Sequence, residues 1–207
     1  MTTSEAPTVA VPTRAVPTRA VPTPAVPTRA VPTADRSAPA HGIPAAPAAL
    51  RRVDSPIGRI ELTGDGSAVT SLTIERGGHL PLEEQPEHSD AILDRAATQL
   101  GEYFAGARTG FDVPVRLVGT PFQEAIWAAL HDLSFGEVVS YGDLGRLTGR
   151  PTAGRAVGGA VGANPVPLLV PCHRVLASNN RITGYSAGEG IPTKLWLLEH
   201  EGITAFA

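Results

Sequence analysis

One stretch of the chain combines residue types suited to nucleophilic chemistry: Asn164-Pro-Val-Pro-Leu-Leu-Val-Pro-Cys-His-Arg-Val175. Cys172 is the only cysteine among 207 residues, and His173 follows it directly. The thiolate, not the thiol, is the nucleophile, and an imidazole within reach, directly or through one water, converts one to the other at neutral pH. Leu168 to Val170 read as a buried apolar run that Pro171 interrupts, so Cys172 and His173 emerge at a turn anchored from below. A single cysteine excludes an internal disulfide and a cysteine-based zinc cluster. As a bare dipeptide Cys-His is weak evidence, because a lone cysteine is more often a small buried hydrophobe.

The elements that must position this pair are legible on both sides of it. Thr120-Pro-Phe-Gln123 is a capping box with Pro at the first helical position, and Phe122, Ile126, Ala129, Leu130 and Leu133 supply a buried stripe. Ser140-Tyr-Gly-Asp143 repeats the capping pattern and starts a short helix that stops at Thr148-Gly-Arg-Pro151. A second helix follows from about residue 152 to 163, and two short helices across a three- or four-residue turn make a helix-turn-helix. That second helix is almost all Gly and Ala, at about 1 kcal/mol per glycine relative to alanine, so close approach of its backbone to something must be useful. Tight helix packing is one use. Arg155, a long cation on a bare helix, suits a polyanion.

Upstream, Ile57 to Thr63 and Ala68 to Ile74 read as two strands joined through Gly64-Asp-Gly66. After Ser89, residues Ile92, Leu93, Ala96, Leu100, Tyr103 and Phe104 share one helical face that ends at Gly106, and residues 111 to 118 form an extended segment. Residues 1 to 50 hold 10 of the 20 prolines and no aromatic residue, in a five-residue Ala-Val-Pro-Thr repeat, and read as a disordered, partly polyproline-like tail. No apolar run approaches the length of a membrane span and no secretory signal precedes the tail, so a soluble, cytoplasmic monomer is expected.

The net charge of −3 argues against a generic nucleic-acid binder, but its distribution argues otherwise. Residues 51 to 112 carry 6 Arg against 11 acids, whereas residues 113 to 207 balance 7 against 7. Within 140 to 181, Arg146, Arg150, Arg155, Arg174 and Arg181 face only Asp143, which predicts a basic surface able to meet phosphates.

Pro171-Cys-His-Arg-Val175, with Asn164-Pro165 and Arg155-Ala-Val-Gly-Gly159 before it, resembles the active-site signature of the methylated-DNA-protein-cysteine methyltransferases. The likeness continues in order through Ser55-Pro-Ile-Gly58, Gly119-Thr-Pro-Phe-Gln123, Gly136-Glu-Val-Val-Ser-Tyr141, Gly184-Tyr-Ser186 and Leu197-Leu-Glu-His-Glu-Gly202. The resemblance implies an α+β fold: a small ribonuclease H-like α/β domain at 51 to 117, then a mainly helical, winged-helix-like domain at 118 to 207 that binds DNA and accepts the alkyl group. It implies transfer from O6 of guanine, and from O4 of thymine in many members, to Cys172 in double-stranded DNA. His173 would act through a water as general base, oriented by Glu201. Tyr141 would donate a hydrogen bond or a proton to the ring nitrogen of the departing guanine, and Asn164 would brace the turn. Tyr185, Ser186 and Val175 would form the pocket, and Arg155 would enter the stack vacated by a flipped base. Ala156, Gly158 and Gly159 would lie against the minor groove.

No cofactor and no metal are implied, because the zinc-binding set of some members is absent. Ala187 stands where the family has Gly, which predicts a tighter pocket loop. Arg174 is left between ion pairing and DNA contact. The rival readings are a binding-only lesion recogniser, against which Cys172 speaks, and a Cys-His hydrolase, against which the Gly/Ala helix speaks.

Overall fold

The computed structural model describes residues 47–204, and the Pro-Thr repeat lies outside them. The chain runs β1 (Ala49–Val53), β2 (Ile60–Gly64), β3 (Val69–Ile74), α1 (Ala91–Phe104), α2 (Pro121–His131), β4 (Val139–Ser140), α3 (Tyr141–Leu147) and α4 (Gly154–Gly162). A 3-10 turn at Cys172–Arg174, β5 (Val175–Leu176) and α5 (Ile191–His200) complete it. The fold is mixed α+β, with a small sheet first and a helical part after it.

The sheet is antiparallel in the order β1-β2-β3, with Val53 opposite Ile60 and Ile60 opposite Ile74. Alternation puts Ile60 and Leu62 of β2 and Leu72 and Ile74 of β3 into the core, and a register shift at Thr63/Gly64 brings Val69 in with them. Strand β1 corrects the sequence reading. Ala49 and Leu50, counted with the tail, are 2% and 0% exposed in it. Ala-Leu-Arg-Arg-Val has too little alternation to signal a strand by itself; tertiary pairing decides it, and Arg52 sits across from Glu61 in the register. Residues 57 to 59 belong to a turn with Gly58 at φ +103°, so β2 starts three residues later than expected.

Helix α1 is capped by Asp90, whose carboxylate accepts from the Leu93 amide at 2.8 Å. It lays Leu93, Ala96, Leu100 and Tyr103 into the core. The segment at 111 to 118 meets the sheet edge at one parallel bridge, Val69 with Val115. In α2 the capping box forms as expected: Thr120 Oγ1 accepts from the Gln123 amide and Gln123 Oε1 accepts from the Thr120 amide. Its unanticipated anchor is Trp127, 2% exposed, whose indole donates to the Ala160 carbonyl at 2.8 Å and pins α4 to α2.

Ser140 caps α3 through the Asp143 amide at 3.0 Å. The turn to α4 spans Thr148 to Ala153, longer than the three or four residues expected, because Pro151 disfavours helical geometry at the residue before it. Gly145 is required here: a Cβ on it would lie 2.8 Å from the Arg150 carbonyl. The α4 glycines are different. A Cβ on Gly154, Gly159 or Gly162 would meet nothing within 4 Å, so packing inside the protein does not account for them. No helix among the described residues is long and apolar enough to cross a membrane.

The two kinds of glycine separate in a stability measurement. Gly145→Ala should cost about 1–3 kcal/mol by overpacking, whereas Gly159→Ala should add about 1 kcal/mol through helix propensity, both read from urea unfolding midpoints.

Candidate active site

Cys172 opens the 3-10 turn and is 3% exposed. The loop leading to it is braced by Asn164, whose Nδ2 donates to the Val170 carbonyl at 2.7 Å and whose Oδ1 accepts from the Val166 amide at 3.1 Å. The sheet supports the same loop, since the Leu72 amide donates to the Pro165 carbonyl at 2.9 Å. Leu168 within it takes φ +73°, a left-handed conformation unusual for a branched side chain and held by burial at 2% exposure. Downstream, the two-residue strand β5 pairs in parallel with β4, Val139 with Val175 and Ser140 with Leu176. That pairing delivers Tyr141, the first residue of α3, to the cysteine.

Cys172 lies at a hollow of about 270 Å³ with Tyr141 on one side, Gly158 and Gly162 of α4 on another, and Tyr185 and Ser186 closing it. Five of the expected residues, Tyr141, Gly158, Cys172, Tyr185 and Ser186, therefore meet at one place. Val175 does not line it: the side chain is fully buried in β5, a correction that follows from the β4 pairing. Arg155, Ala156 and Gly159 are exposed on α4, and Arg155 has no ion-pair partner among the described residues.

Behind Cys172 is a buried polar cluster. Glu201 Oε1 accepts from His173 Nε2 at 2.9 Å, from Arg174 Nη2 at 2.8 Å and from the Tyr103 hydroxyl at 2.9 Å. Its Oε2 accepts from Arg174 Nε at 2.7 Å and from the Gly136 amide at 3.2 Å. Burial opposes the Glu201 charge, but the donors from His173 and Arg174 outweigh it and hold the carboxyl well below the usual carboxylate range. An ionised carboxylate only accepts, so Nε2 of His173 carries the hydrogen. Burial pushes the His173 pKa down, against the opposing pull of Glu201, which favours the neutral ring. Its Nδ1 is then a lone-pair acceptor, buried and without a protein partner.

Arg174 is thus an ion-pair partner and 5% exposed, which removes it from the expected basic surface. Arg146, Arg150, Arg155 and Arg181 remain exposed, Arg146 paired to Asp143 and Arg150 stacked 4.9 Å over the Phe122 ring.

Two residues of the site escaped the sequence reading. Tyr103 comes from α1, and 98 positions separate it from Glu201. Lys194 is 1% exposed, with its ammonium donating to the carbonyls of Val175 at 2.5 Å and Gly184 at 3.3 Å. Burial pulls its pKa down to about 8, and the charge of Cys172 pulls the other way. The spacing Lys194, Leu197, Leu198, Glu201 is a helical core face with ionisable ends, the signal that would have found it. For Cys172 itself, burial raises the thiol pKa, while Asn164, Lys194 and Tyr185 act to lower it. The resting sulfur is a protonated thiol beside a neutral imidazole.

Removing the Arg174 guanidinium strands a buried carboxylate, so Arg174→Met should cost about 3–5 kcal/mol in urea unfolding. Because the folded pKa of Glu201 lies below its ordinary 4.5, its stabilisation is complete above that value and is lost as pH falls through the folded pKa. Glu201→Gln should accordingly flatten the acid arm of the stability–pH curve.

Residues 51–117 match the family model for the 6-O-methylguanine DNA methyltransferase ribonuclease-like domain, and residues 121–203 match that for its DNA binding domain. A methylated-DNA–protein-cysteine methyltransferase of Mycobacterium tuberculosis is 43% identical over 151 residues, covering 73% of this chain and 90% of that protein. The constitutive enzyme of that name from Bacillus subtilis is 38% identical over 155 residues, covering 73% and 93%. The crystal structure of the M. tuberculosis O6-methylguanine methyltransferase superposes with a TM-score of 0.67 at 42% identity, over 77% of this chain and 95% of that one. The same protein solved in complex with DNA gives 0.66 at 43% identity, over 74% and 92%. With both halves matched in order and the cysteine, histidine and glutamate gathered at one centre, the chain belongs to the methylated-DNA–protein-cysteine methyltransferase family.

Proposed function

We propose that this protein repairs alkylated double-stranded DNA by moving the alkyl group from O6 of guanine, and from O4 of thymine, onto Cys172. The observation that carries this reading is the seating of Cys172 in a hollow of about 270 Å³, bordered by the open Gly/Ala face of α4 and backed by a neutral imidazole. Residues 51 to 117 serve as scaffold, and residues 118 to 207 hold the acceptor and the DNA-docking helices. The protein works as a cytoplasmic monomer, without cofactor or metal.

The alkylated base lies inside a duplex and must rotate out of the stack, at a cost of a few kcal/mol. Arg155, exposed and without an ion-pair partner among the described residues, fills the gap, while Ala156 and Gly159 let the α4 backbone approach the minor groove. Arg146, Arg150 and Arg181 add phosphate contacts that carry no sequence information. Tyr185 and Ser186 cover the flipped base.

In the transfer, the Cys172 S–H proton passes through a water to Nδ1 of His173, and the sulfur attacks the alkyl carbon in line. The carbon–O6 bond breaks with its electron pair left on the base. Tyr141 donates a proton to a ring nitrogen of the departing guanine, and the imidazolium proton restores the phenol through solvent. Glu201 keeps the imidazole in the accepting tautomer and stabilises its charge, and Lys194 favours the developing thiolate. The thioether product has no path back to a thiol, so each molecule reacts once.

Intact-mass analysis after incubation with O6-methylguanine duplex should show one added methyl per molecule, located on the Cys172 peptide and absent from Cys172→Ala. Lesion binding with no added mass would instead leave a binding-only protein. Arg155→Ala should lower the rate on duplex by about tenfold or more, the value of little over 1 kcal/mol of base rotation, and leave the rate with free O6-benzylguanine unchanged. Equal losses on both substrates would remove Arg155 from base rotation.

A further inference from the structure

The wall of the pocket is tied to the segment that follows β3, chiefly by one side chain. Arg76 follows β3, and its guanidinium donates from Nε to the Gly188 carbonyl at 2.5 Å and from Nη2 to the Ser186 carbonyl at 3.2 Å. The contact is reciprocated next door, where the Gly77 amide donates to Glu189 Oε1 at 2.6 Å. Residues more than 100 positions apart are joined at a loop that also carries Tyr185 and Ala187.

This loop is fixed at both ends by other means. Ser186 Oγ donates to the Gly162 carbonyl at the end of α4 at 3.0 Å. Gly188, at φ +52°, is pressed between Thr193 and Ile74, where a Cβ would fall 2.6 Å from Thr193 Oγ1. The Glu189 amide donates to that same hydroxyl at 2.9 Å. Between these anchors the carbonyls of Ser186 and Gly188 accept from Arg76, and that of Ala187 accepts from the Gly190 amide at 3.0 Å. Tyr185 and Ser186 line the hollow at Cys172, so the position of this span sets the room on that side of it. Arg76 holds the span through two of its carbonyls.

We infer that Arg76 is a specificity-determining residue, a clamp from the segment after β3 that limits the size of alkyl group the pocket accepts. The inference rests on the acceptor reading above and names its discriminating element. A methyl group fits with the wall clamped. A benzyl group needs the Ser186–Gly188 span to yield, which the paired carbonyl contacts resist. A planar guanidinium bridges two carbonyls, whereas an ammonium on a flexible stem supplies a single point of contact, so lysine restores only part of the clamp.

The test compares second-order rate constants for duplexes carrying O6-methylguanine and O6-benzylguanine, using the full chain, Arg76→Ala and Arg76→Lys. Arg76→Ala should raise the benzyl-to-methyl ratio about tenfold, the discrimination that roughly one methylene of room confers in a pocket. The methyl rate should stay within about twofold of the parent, and Arg76→Lys should fall between the two. A merely structural role would lower both rates together, and that outcome, or an unchanged ratio, would overturn the clamp. Absence of transfer from either duplex by the unsubstituted protein would overturn the acceptor reading itself, and the clamp with it.

Discussion

Glu201 is a carboxylate with almost no access to water, and its charge survives there only because donors from distant parts of the chain converge on it. Tyr103 arrives from α1, the Gly136 amide from the loop after α2, and His173 and Arg174 from the turn that bears the cysteine. Burying such a charge without that set costs several kcal/mol, so the cluster forms completely or not at all. Its dependence on the whole fold has a chemical consequence. The tautomer of His173 is set by an ionised Glu201, and Glu201 is ionised because Arg174 and its other donors surround it. The state of the imidazole next to Cys172 is therefore a product of packing between the sheet half and the helical half.

The sulfur is handled in the opposite way. Burial keeps the Cys172 thiol protonated, and the nearby Lys194, Asn164 and Tyr185 lower the cost of ionisation without abolishing it. A thiol in that state is poorly reactive toward solutes in bulk water, and it becomes a nucleophile when its proton is taken as a bond to carbon forms. Low reactivity at rest keeps the single cysteine intact. The neighbouring aromatic ring of Tyr185 is kept from ionising by the same burial and by the sulfur beside it, which leaves its hydroxyl as a neutral cover for the site.

Glycine serves two unrelated physical ends within a few residues of one another. At position 145 it lets the Arg150 carbonyl pass close to α3, so the need is internal to the helix-turn-helix. In α4 the missing side chains leave open space on the outside, and the cost in helix stability has no return within the protein. The helix is held instead by the Trp127 indole on the Ala160 carbonyl and by Val157, Ala160 and Val161 facing inward. A bare helix kept rigid from behind is the arrangement that close approach to a groove requires.

Much of this was legible in local patterns because the determinants are local. Capping chemistry marked the starts of α2 and α3, alternation marked β2 and β3, and the apolar run before Pro171 marked the buried support of the cysteine. Cys172 and His173 stood out because they are adjacent and because no other cysteine exists. What only the tertiary structure decided involves partners far apart in the chain. Strand β1 exists because β2 pairs with it, since its own five residues carry little signal. Arg174 is an ion-pair partner because Glu201 lies 27 residues on, and Val175 is a buried anchor because β4 pairs with β5. Tyr103 reaches Glu201, and Arg76 the carbonyls of Ser186 and Gly188, through contacts that no periodicity encodes. Residue type and spacing determine which atoms can react, whereas their proton states and the room around them depend on burial and on long-range hydrogen bonds, which exist only once the chain has folded.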